Sequence, residues 1–167
     1  MTTEFLSMSL SDEKSLAETL SDMHIHEEWL TSNAFMKLRL GQYQENPDYR
    51  PCGPRAMVMG DTDQMIGHIG FHTARGPEYL KEFTTSGIEF GYSVYEEFRG
   101  QGFATEAIRG VMHWASIEKD IEDFVLSIAP DNAPSQALAK KFGFHKVGEH
   151  MDAEDGLEDI FILRITD

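Results

Sequence analysis

The sequence predicts a mixed α/β domain, with a central sheet of about six to seven strands and helices packed against it. Three observations support this class: short apolar stretches of strand length recur along the chain, amphipathic stretches of helix length lie between them, and turn-forming residues separate the two. The 167 residues suit a single domain, residues 1–167, that can bury one substantial core. A hydrophobic content of 41% and an aromatic content of 11% are typical of a globular protein.

The first third of the chain predicts one strand and two helices. Phe5–Leu10 has the length and apolar content of a strand. Ser11 is a typical helix N-cap residue and acidic residues follow it, so a short helix with Ala17 on its apolar face is expected next. A second helix is predicted over Glu27–Met36, before the polar, proline-containing stretch Asn46–Pro54.

A hairpin is predicted to follow. Arg55–Gly60 and Gln64–His72 have strand character and flank the turn Asp61-Thr62-Asp63, which favours an antiparallel pair. The connection after the hairpin, Thr73–Ser86, contains Gly76-Pro77 and is long for a simple link. Connections of that length are often functional, or merely mobile.

The second half of the chain predicts strands that alternate with helices. The predicted strands are Gly87–Val94, Phe124–Ala129, His145–Glu149 and Asp159–Arg164; the predicted helices are Ala104–Glu118 and a helix from Asn132 or Ala133 to Phe142. Apolar residues recur at helical spacing in the first of these helices, namely Ala107, Ile108, Val111, Met112 and Ala115. Gly143 is expected to end the second helix as a C-cap.

The charge balance restricts the expected partners. The chain has 14 Lys and Arg residues against 29 Asp and Glu residues, a net charge of −15. Because a phosphate backbone requires a basic surface, nucleic acid is not an expected partner, whereas a cationic acceptor would be attracted. Solubility alone is the simpler explanation of the same acidity.

Signals for membrane insertion or export are not evident. The longest apolar runs, such as Ile160–Leu163, are far shorter than the roughly 20 residues needed to cross a bilayer. The first residues lack a basic region and include Glu4, unlike a signal peptide. Cys52 is the single cysteine, so no internal disulfide is expected. We therefore expect a cytoplasmic protein with no membrane partner.

The stretch FRGQGFATEA, residues 98–107, joins a predicted strand to a predicted helix. A helix N-terminus presents unpaired N–H groups, and glycine at 100 and 102 lets the backbone approach an anion, so phosphate is the expected ligand. An ordinary glycine turn also explains the pair. The dinucleotide fingerprint fits less well, because Thr105 stands where a small residue is needed. A Walker A loop is excluded by the absence of G-K-[ST].

Several motifs in order resemble one family. Arg99-Gly100-Gln101-Gly102-Phe103-Ala104 matches the Q/R-x-x-G-x-G/A signature of the GNAT superfamily of N-acetyltransferases. Ile88–Val94 resembles the E-x-G-Y strand of the RimJ/RimL-type subgroup, which acetylates ribosomal-protein N-termini. Downstream, Asn132-Ala133-Pro134-Ser135 matches its N-x-x-S, and Lys141–Phe144 resembles its K-x-G-F ending. The resemblance spans roughly residues 54–164.

The resemblance implies the GNAT fold, with a splayed central strand pair, and acetyl-CoA as the cosubstrate. It implies that the pantetheine arm pairs with the backbone of Tyr92, Ser93 and Val94, and that an N–H near Val94 stabilises the oxyanion of the tetrahedral intermediate. Asn132 is implied to hydrogen-bond the same arm. The implied pyrophosphate site is bracketed by Arg99 and formed by Gly100, Gln101, Gly102, Phe103, Ala104 and Thr105.

The resemblance also implies catalytic groups. Ala139 stands where many superfamily members carry a tyrosine acid, so this chain cannot use that tyrosine. In the subgroup pattern Ser135 contacts the sulfur and Glu154 is the base, although a capping hydroxyl and a solvated acid are the ordinary explanations of these residues. Glu89, which shares a strand face with Ser93, is a second candidate base, and a structural hydrogen bond in the sheet is its alternative role.

The acceptor is implied to be a protein or peptide N-terminus or a small cationic amine. Dimers are common in the subgroup, so a homodimer is an implied assembly. A non-enzymatic alternative is a sensor domain that binds acetyl-CoA without turnover. Trp29 and Phe35 either wall the acceptor pocket or pack in the core. His24 and His26 have H-x-H spacing, but without a further ligand signal no metal site is expected.

Overall fold

A computed structural model describes residues 1–11, 14–73, 75–153 and 155–165. Within these ranges no helix is long and apolar enough to cross a membrane. The helices are α1 (Thr3–Leu10), α2 (Lys14–Ser21), α3 (Glu27–Leu30), α4 (Asn33–Glu45), α5 (Phe103–Lys119) and α6 (Ala133–Phe142). The strands are β1 (Arg55–Val58), β2 (Met65–Phe71), β3 (Ile88–Val94), β4 (Asp123–Ile128), β5 (His145–Asp152) and β6 (Gly156–Arg164).

The strands form a mixed sheet of six, in the order β1-β2-β3-β4-β6-β5. The predicted hairpin is confirmed, because β1 pairs with β2 in antiparallel register. β4 and β5 both pair with β6 in antiparallel register, whereas β3 pairs with β4 in parallel. The parallel ladder is short: Ile88 lies opposite Phe124 and Glu89 opposite Val125. The predicted mixed α/β class with flanking helices is confirmed.

The strand predicted over Phe5–Leu10 is wrong, because this segment is helix α1. The Thr2 side chain caps the helix by accepting a hydrogen bond from the Phe5 N–H. Phe5, Leu6 and Ser9 are the buried residues, and their spacing is that of one helix face rather than of a strand. Ser11 accordingly ends α1 as its C-cap, and the acids after it, Asp12 and Glu13, lie outside the described residues.

The helix predicted over Glu27–Met36 is two helices, α3 and α4. The hydroxyls of Thr31 and Ser32 both donate to the Glu28 carbonyl, at 2.9 and 3.0 Å. Side chains that bind the backbone locally compete with the hydrogen bonds of the helix. The helix is therefore interrupted at these two residues before α4 begins. Helix formation in this region is thus confirmed, but its continuity is not.

The chain divides into two compact units, and each has its own core. The first unit comprises Met1–Gly70 and Tyr92–Ala107, and the second comprises Phe71–Gly91 and Ile108–Asp167. The core of the first unit is formed by Phe5, Leu6, Ala17, Ile25, Trp29, Met36, Tyr43, Tyr49, Met65 and Tyr95. In the second unit Leu80, Val125, Ile160 and Ile162 form a cluster, and α5 buries Ile108, Val111, Met112 and Ala115, as its periodicity predicts.

The Asp123 side chain stabilises the end of the long connection between β2 and β3. Its side chain accepts hydrogen bonds from Thr84 at 3.3 Å, Ser86 at 3.0 Å and the Arg164 guanidinium at 2.6 Å. The hydrogen bond from Arg164 is the main reason why the pKa of Asp123 lies below its ordinary value; burial opposes the change and is outweighed. Folding therefore favours the ionised form of this carboxyl group.

We expect Asp123→Asn to lower the free energy of unfolding by about 1–3 kcal/mol at pH 7, because it weakens a charged hydrogen bond to Arg164. A carboxyl group with a lowered folded-state pKa stabilises the fold above its unfolded-state pKa of about 4, and this contribution is lost as the pH falls through the folded-state value. In urea unfolding, the free energies of unfolding of variant and wild type should therefore differ less at pH 3 than at pH 7. The exposed Glu118→Gln change is the control, and an equal difference at both pH values would contradict the argument.

Candidate functional site

The glycine loop before α5 has the backbone that the phosphate hypothesis requires. Gly100 has φ of +74° and Gly102 has φ of +95°, in a region that other residues rarely adopt. A Cβ added at either position would meet no heavy atom within 4 Å, so the backbone conformation, and not lack of space, requires glycine. Helix α5 begins at Phe103 directly after this loop. Its first N–H groups have no acceptor within the helix, which makes the loop a candidate anion site.

The same unit holds the end of β3 close to this loop. The Arg99 Nε atom donates to the Val94 carbonyl at 2.8 Å. The Gln101 side chain donates to the Glu97 carbonyl at 3.1 Å, so the loop folds back on the residues that precede it. The contact between Arg99 and Val94 brings together two of the predicted acetyl-CoA residues. Their contact with the cosubstrate stays a prediction.

β2 approaches β3 closely where the pantetheine arm is predicted. A Cβ added at Gly67 would lie 2.2 Å from the Ser93 carbonyl oxygen and 3.1 Å from the Val94 Cα. Tyr95, the residue after the strand, donates its N–H to the Ile66 carbonyl at 3.0 Å. Glycine at position 67 therefore leaves the space that the backbone of Ser93 and Val94 occupies.

Glu89 is a buried charge of the second unit. It is 3% exposed and lies on β3, with one carboxylate oxygen 3.4 Å from the His72 Nδ1 atom. Tyr79 donates its hydroxyl hydrogen bond to the other oxygen, and Ser127 also hydrogen-bonds the carboxylate. Burial alone would raise the pKa of Glu89, but the hydrogen bonds and charge of His72, with those of Ser127 and Tyr79, bring it below its ordinary value. Glu89 is therefore ionised at neutral pH.

A second carboxyl group, Glu158, belongs to the same group of residues. Burial raises its pKa, and the negative charges of Glu89, Asp155 and Asp152 raise it further. Glu158 lies opposite His150 in the pairing of β5 with β6. We call Glu89, His72, Tyr79, Ser127 and Glu158 the carboxylate cluster. It combines a buried charge, an imidazole, a phenol and a second carboxyl group, which are groups that can bind and transfer protons.

Asn132 and Ser135 lie at the start of α6, as the sequence predicts. The Asn132 side chain is the N-cap of the helix and accepts from the Ser135 N–H at 3.2 Å. Gly143 ends α6 in the left-handed conformation, with φ of +90°, which confirms it as the C-cap. Ala139, in the position of the missing tyrosine, is 1% exposed. Glu154, the other predicted base, lies outside the described residues.

Trp29 is a core residue of the first unit and not part of an open pocket. Its side chain is fully buried, and its Nε1 donates to the Ser9 hydroxyl at 3.0 Å. Phe35 packs against it edge to face, with ring centroids 6.1 Å apart. His26 caps α3 through its Nδ1 and contacts Glu97. Among the described residues, no group of three or more His, Cys, Asp and Glu side chains could hold a metal ion.

Of the cluster, sequence analysis identified only Glu89. His72 ends the predicted strand Gln64–His72, and Tyr79 lies in a connection with no motif of its own. Glu158 could have been suspected from strand alternation, because it precedes Ile160 by two residues on a strand with a buried face. No comparable sequence signal existed for Tyr79.

Comparison with known proteins gives a consistent family. A family model described as the acetyltransferase (GNAT) domain matches residues 5–145. The protein named uncharacterized N-acetyltransferase YnaD from Bacillus subtilis (strain 168) is 27% identical over 92 residues, which are 55% of this chain and 49% of that protein. The N-acetyltransferase 9-like protein of Caenorhabditis elegans is 43% identical over 91 residues, 53% of this chain and 45% of that protein. The chain thus matches about half the length of these relatives.

Solved structures show the same fold. An acetyltransferase from Agrobacterium tumefaciens str. C58 superposes with a TM-score of 0.61 at 21% identity, covering 79% of this chain and 70% of that one. The ribosomal-protein-S5-alanine acetyltransferase from Vibrio fischeri gives a TM-score of 0.61 at 18% identity, covering 83% and 75%. At these identities the comparison supports the fold alone.

Proposed function

Because the chain belongs to the acetyltransferase (GNAT) domain family, we propose that it is an N-acetyltransferase that moves an acetyl group from acetyl-CoA to a primary amine. The observation that carries this proposal is the loop with two positive-φ glycines directly before α5. A loop of this kind allows the backbone N–H groups of a helix start to surround a pyrophosphate. An ordinary turn would not need both glycines in that conformation.

The residues proposed to hold the cosubstrate follow the family motif. The pyrophosphate is assigned to the loop Gly100–Thr105 with Arg99 beside it, and the pantetheine arm to the backbone of Tyr92–Val94 and the side chain of Asn132. Bound acetyl-CoA supplies an activated acyl group as a thioester. The Val94 N–H is proposed to stabilise the oxyanion, which is the largest single contribution in many acyl transfers.

The proton transfers are assigned to side chains of this chain. Ser135 is proposed to donate to the departing sulfur, and Glu89 to serve the deprotonation of the acceptor amine. The hydrogen bonds around Glu89 hold the carboxylate ionised and in one position, from which its charge can assist the deprotonation. Glu154 remains a proposed base from the family pattern alone.

The acceptor is proposed to be a cationic amine, either a protein N-terminus or a small molecule. The net charge of −15 favours a cationic partner, and the motifs resemble those of the RimJ/RimL-type subgroup. The ribosomal-protein-S5-alanine acetyltransferase of Vibrio fischeri shares the fold. A homodimer, a cytoplasmic location and a single domain over residues 1–167 also stay predictions of the sequence.

The proposal is tested by titrating the protein calorimetrically with acetyl-CoA and with NADH, beside a thiol-release assay over N-terminal peptides and small amines. Binding of acetyl-CoA together with thiol release on at least one amine is the expected result. Tight binding without release on any amine would instead favour the sensor alternative. Failure to bind acetyl-CoA would reduce the glycine loop to an ordinary turn and overturn the proposal.

A variant of the loop gives a sharper prediction. We expect Gly102→Ala to weaken acetyl-CoA binding at least about tenfold, because alanine is strained at φ of +95° and a shift of 1.4 kcal/mol is already tenfold. Gly110→Ala is the matched control, since Gly110 lies within α5 and a Cβ there would meet nothing within 4 Å. It should stabilise the helix by about 1 kcal/mol and leave the affinity unchanged. Equal affinities for both variants would contradict the assignment of the loop.

A further inference from the structure

In the carboxylate cluster the carboxylate of Glu89 is more deeply buried than the imidazole that it faces, an order that the family motifs do not predict. Glu89 is buried behind His72: the Glu89 side chain is 4% exposed, whereas the His72 side chain is 36% exposed. The imidazole Nδ1 faces the carboxylate, and the Nε2 lies close to the position that a Cβ at Gly91 would occupy. A buried carboxylate that holds the Nδ1–H of a more exposed imidazole is the arrangement that prepares Nε2 to accept a proton.

Glu89 itself is poorly suited to take the proton of an acceptor. Both of its oxygens already face donors, His72 on one side and Tyr79 on the other, and Ser127 adds a third. Because these hydrogen bonds hold its pKa below the ordinary value, the carboxylate is a weak base near neutral pH. At 3% exposure it also offers an acceptor little surface to touch.

We propose that His72 is the general base of the acetyl transfer and that Glu89 is the positioning residue that orients it; the inference rests on the proposed acetyltransferase function. The acceptor nitrogen adds to the acyl carbon, and the carbon–sulfur bond breaks when the resulting tetrahedral intermediate collapses. The proton lost from that nitrogen goes to the His72 Nε2 and then to solvent, and the departing thiolate takes one proton. Amine and thioester thereby become amide and thiol, with protons and electrons balanced.

The position of His72 depends on the absence of a side chain at Gly91. A Cβ added at Gly91 would lie 2.4 Å from the His72 Nε2 and 3.2 Å from its Cε1. The His72 backbone is fixed independently, since its N–H donates to the Glu89 carbonyl at 2.9 Å. An alanine at position 91 would therefore displace the imidazole while the backbone stays in place.

The ionisable groups around His72 come from several other elements. Glu89 on β3 and Glu158 on β6 are the carboxyl groups that act on it, with Asp152 and Asp155 close enough to act on Glu158. Tyr79 hydrogen-bonds Glu89 and also packs near His150. The ring centroids of Tyr79 and His150 are 5.9 Å apart.

The test compares the pH dependence of kcat/KM for wild type, His72→Gln, Gly91→Ala and the double variant Gly91→Ala/His72→Gln. Glutamine can still donate to Glu89 but cannot act as a base, so a purely structural role would survive in His72→Gln. We expect this variant to lose about 10²–10⁴-fold in kcat/KM at neutral pH. The part of the rise of wild-type kcat/KM with pH that reports the enzyme base should disappear with it, whereas the part that reports the free amine losing its proton should stay.

The glycine variant tests the geometry separately. Gly91→Ala is expected to lose about 10²-fold through misplacement of the ring, with acetyl-CoA affinity unchanged by calorimetry. The double variant should lose no more than His72→Gln alone, because both changes act through the same imidazole. Added imidazole should partly restore the activity of the His72→Ala variant. Additive losses in the double variant would overturn the assignment.

One readout does not depend on turnover. Nitrogen-15 NMR of wild type should show neutral His72 carrying its proton on Nδ1, and Glu89→Gln should abolish that preference. A wild type that acetylates an amine while His72→Gln keeps the same pH profile would overturn the base role alone. A wild type that acetylates no amine would overturn the proposed function, and the base role with it.

Discussion

Glu89→Gln is expected to lower kcat by about 10²–10⁴-fold, the range seen when a proton-transfer group is removed or loses its positioning carboxylate. Three donors face the carboxylate, from His72, Tyr79 and Ser127. A glutamine side chain has only one oxygen and brings an NH₂ group that cannot accept, so at least one donor loses its partner. The negative charge that holds the imidazole is lost at the same time.

The measurement is steady-state thiol release on the best acceptor of the panel, with acetyl-CoA affinity measured by calorimetry on the same preparations. Affinity should be unchanged, because no residue proposed to bind the pyrophosphate is altered. Glu149→Gln is a suitable control, since Glu149 is an exposed carboxylate of β5 that pairs with Lys146. A Glu89→Gln variant with kcat close to wild type would exclude Glu89 from the proton transfer.

Trp29→Ala is expected to lower the free energy of unfolding by about 3–5 kcal/mol, the largest stability effect that we predict for one substitution. The indole is fully buried in the first unit. It stacks on Phe5 with centroids 5.9 Å apart and meets the His68 ring edge-on at 5.5 Å. Its removal leaves a cavity and also takes away the donor that binds the Ser9 hydroxyl.

Urea denaturation followed by circular dichroism measures this loss, with Trp29→Phe and Ile117→Ala as comparisons. The phenylalanine variant retains most of the ring volume and should lose less than the alanine variant. Ile117 is 65% exposed on α5, so its truncation should change stability by less than about 0.5 kcal/mol. A small effect of Trp29→Ala on the free energy of unfolding would contradict this account of the core.

The sequence predicted the second half of the fold well because its signals are local. Gly143 in the left-handed conformation and Asn132 as an N-cap act within one turn of the helix that they end or begin. The apolar face of α5 and the two glycines before it are likewise local patterns. Such features need no knowledge of which strand pairs with which.

The first helix was mispredicted because its composition permits both strand and helix. Phe5–Leu10 is apolar and short, and only the Thr2 cap and the burial of Ser9 beside Phe5 distinguish a helix. The break between α3 and α4 has a related cause, since Thr31 and Ser32 are acceptable within helices until their hydroxyls bind the Glu28 carbonyl.

The carboxylate cluster was mostly beyond prediction for a different reason. Glu89 and Ser127 come from neighbouring strands, His72 from the end of β2 and Tyr79 from a connection, so their meeting depends on register and on the course of a loop. A sequence displays each of these residues as an ordinary polar position. A motif identifies residues that lie close together within one segment. Residues from different segments meet only when the strands pair and the loop takes its course.

The contact between Gly91 and His72 also predicts how this pair should diverge among related chains. Because a Cβ at position 91 would lie 2.4 Å from the imidazole, a side chain at position 91 and the ring at position 72 constrain each other. Lineages that keep histidine at 72 should keep glycine at 91, and those with a larger residue at 91 should have lost the ring first. The order of these two replacements in a family tree would then record when a lineage abandoned this imidazole.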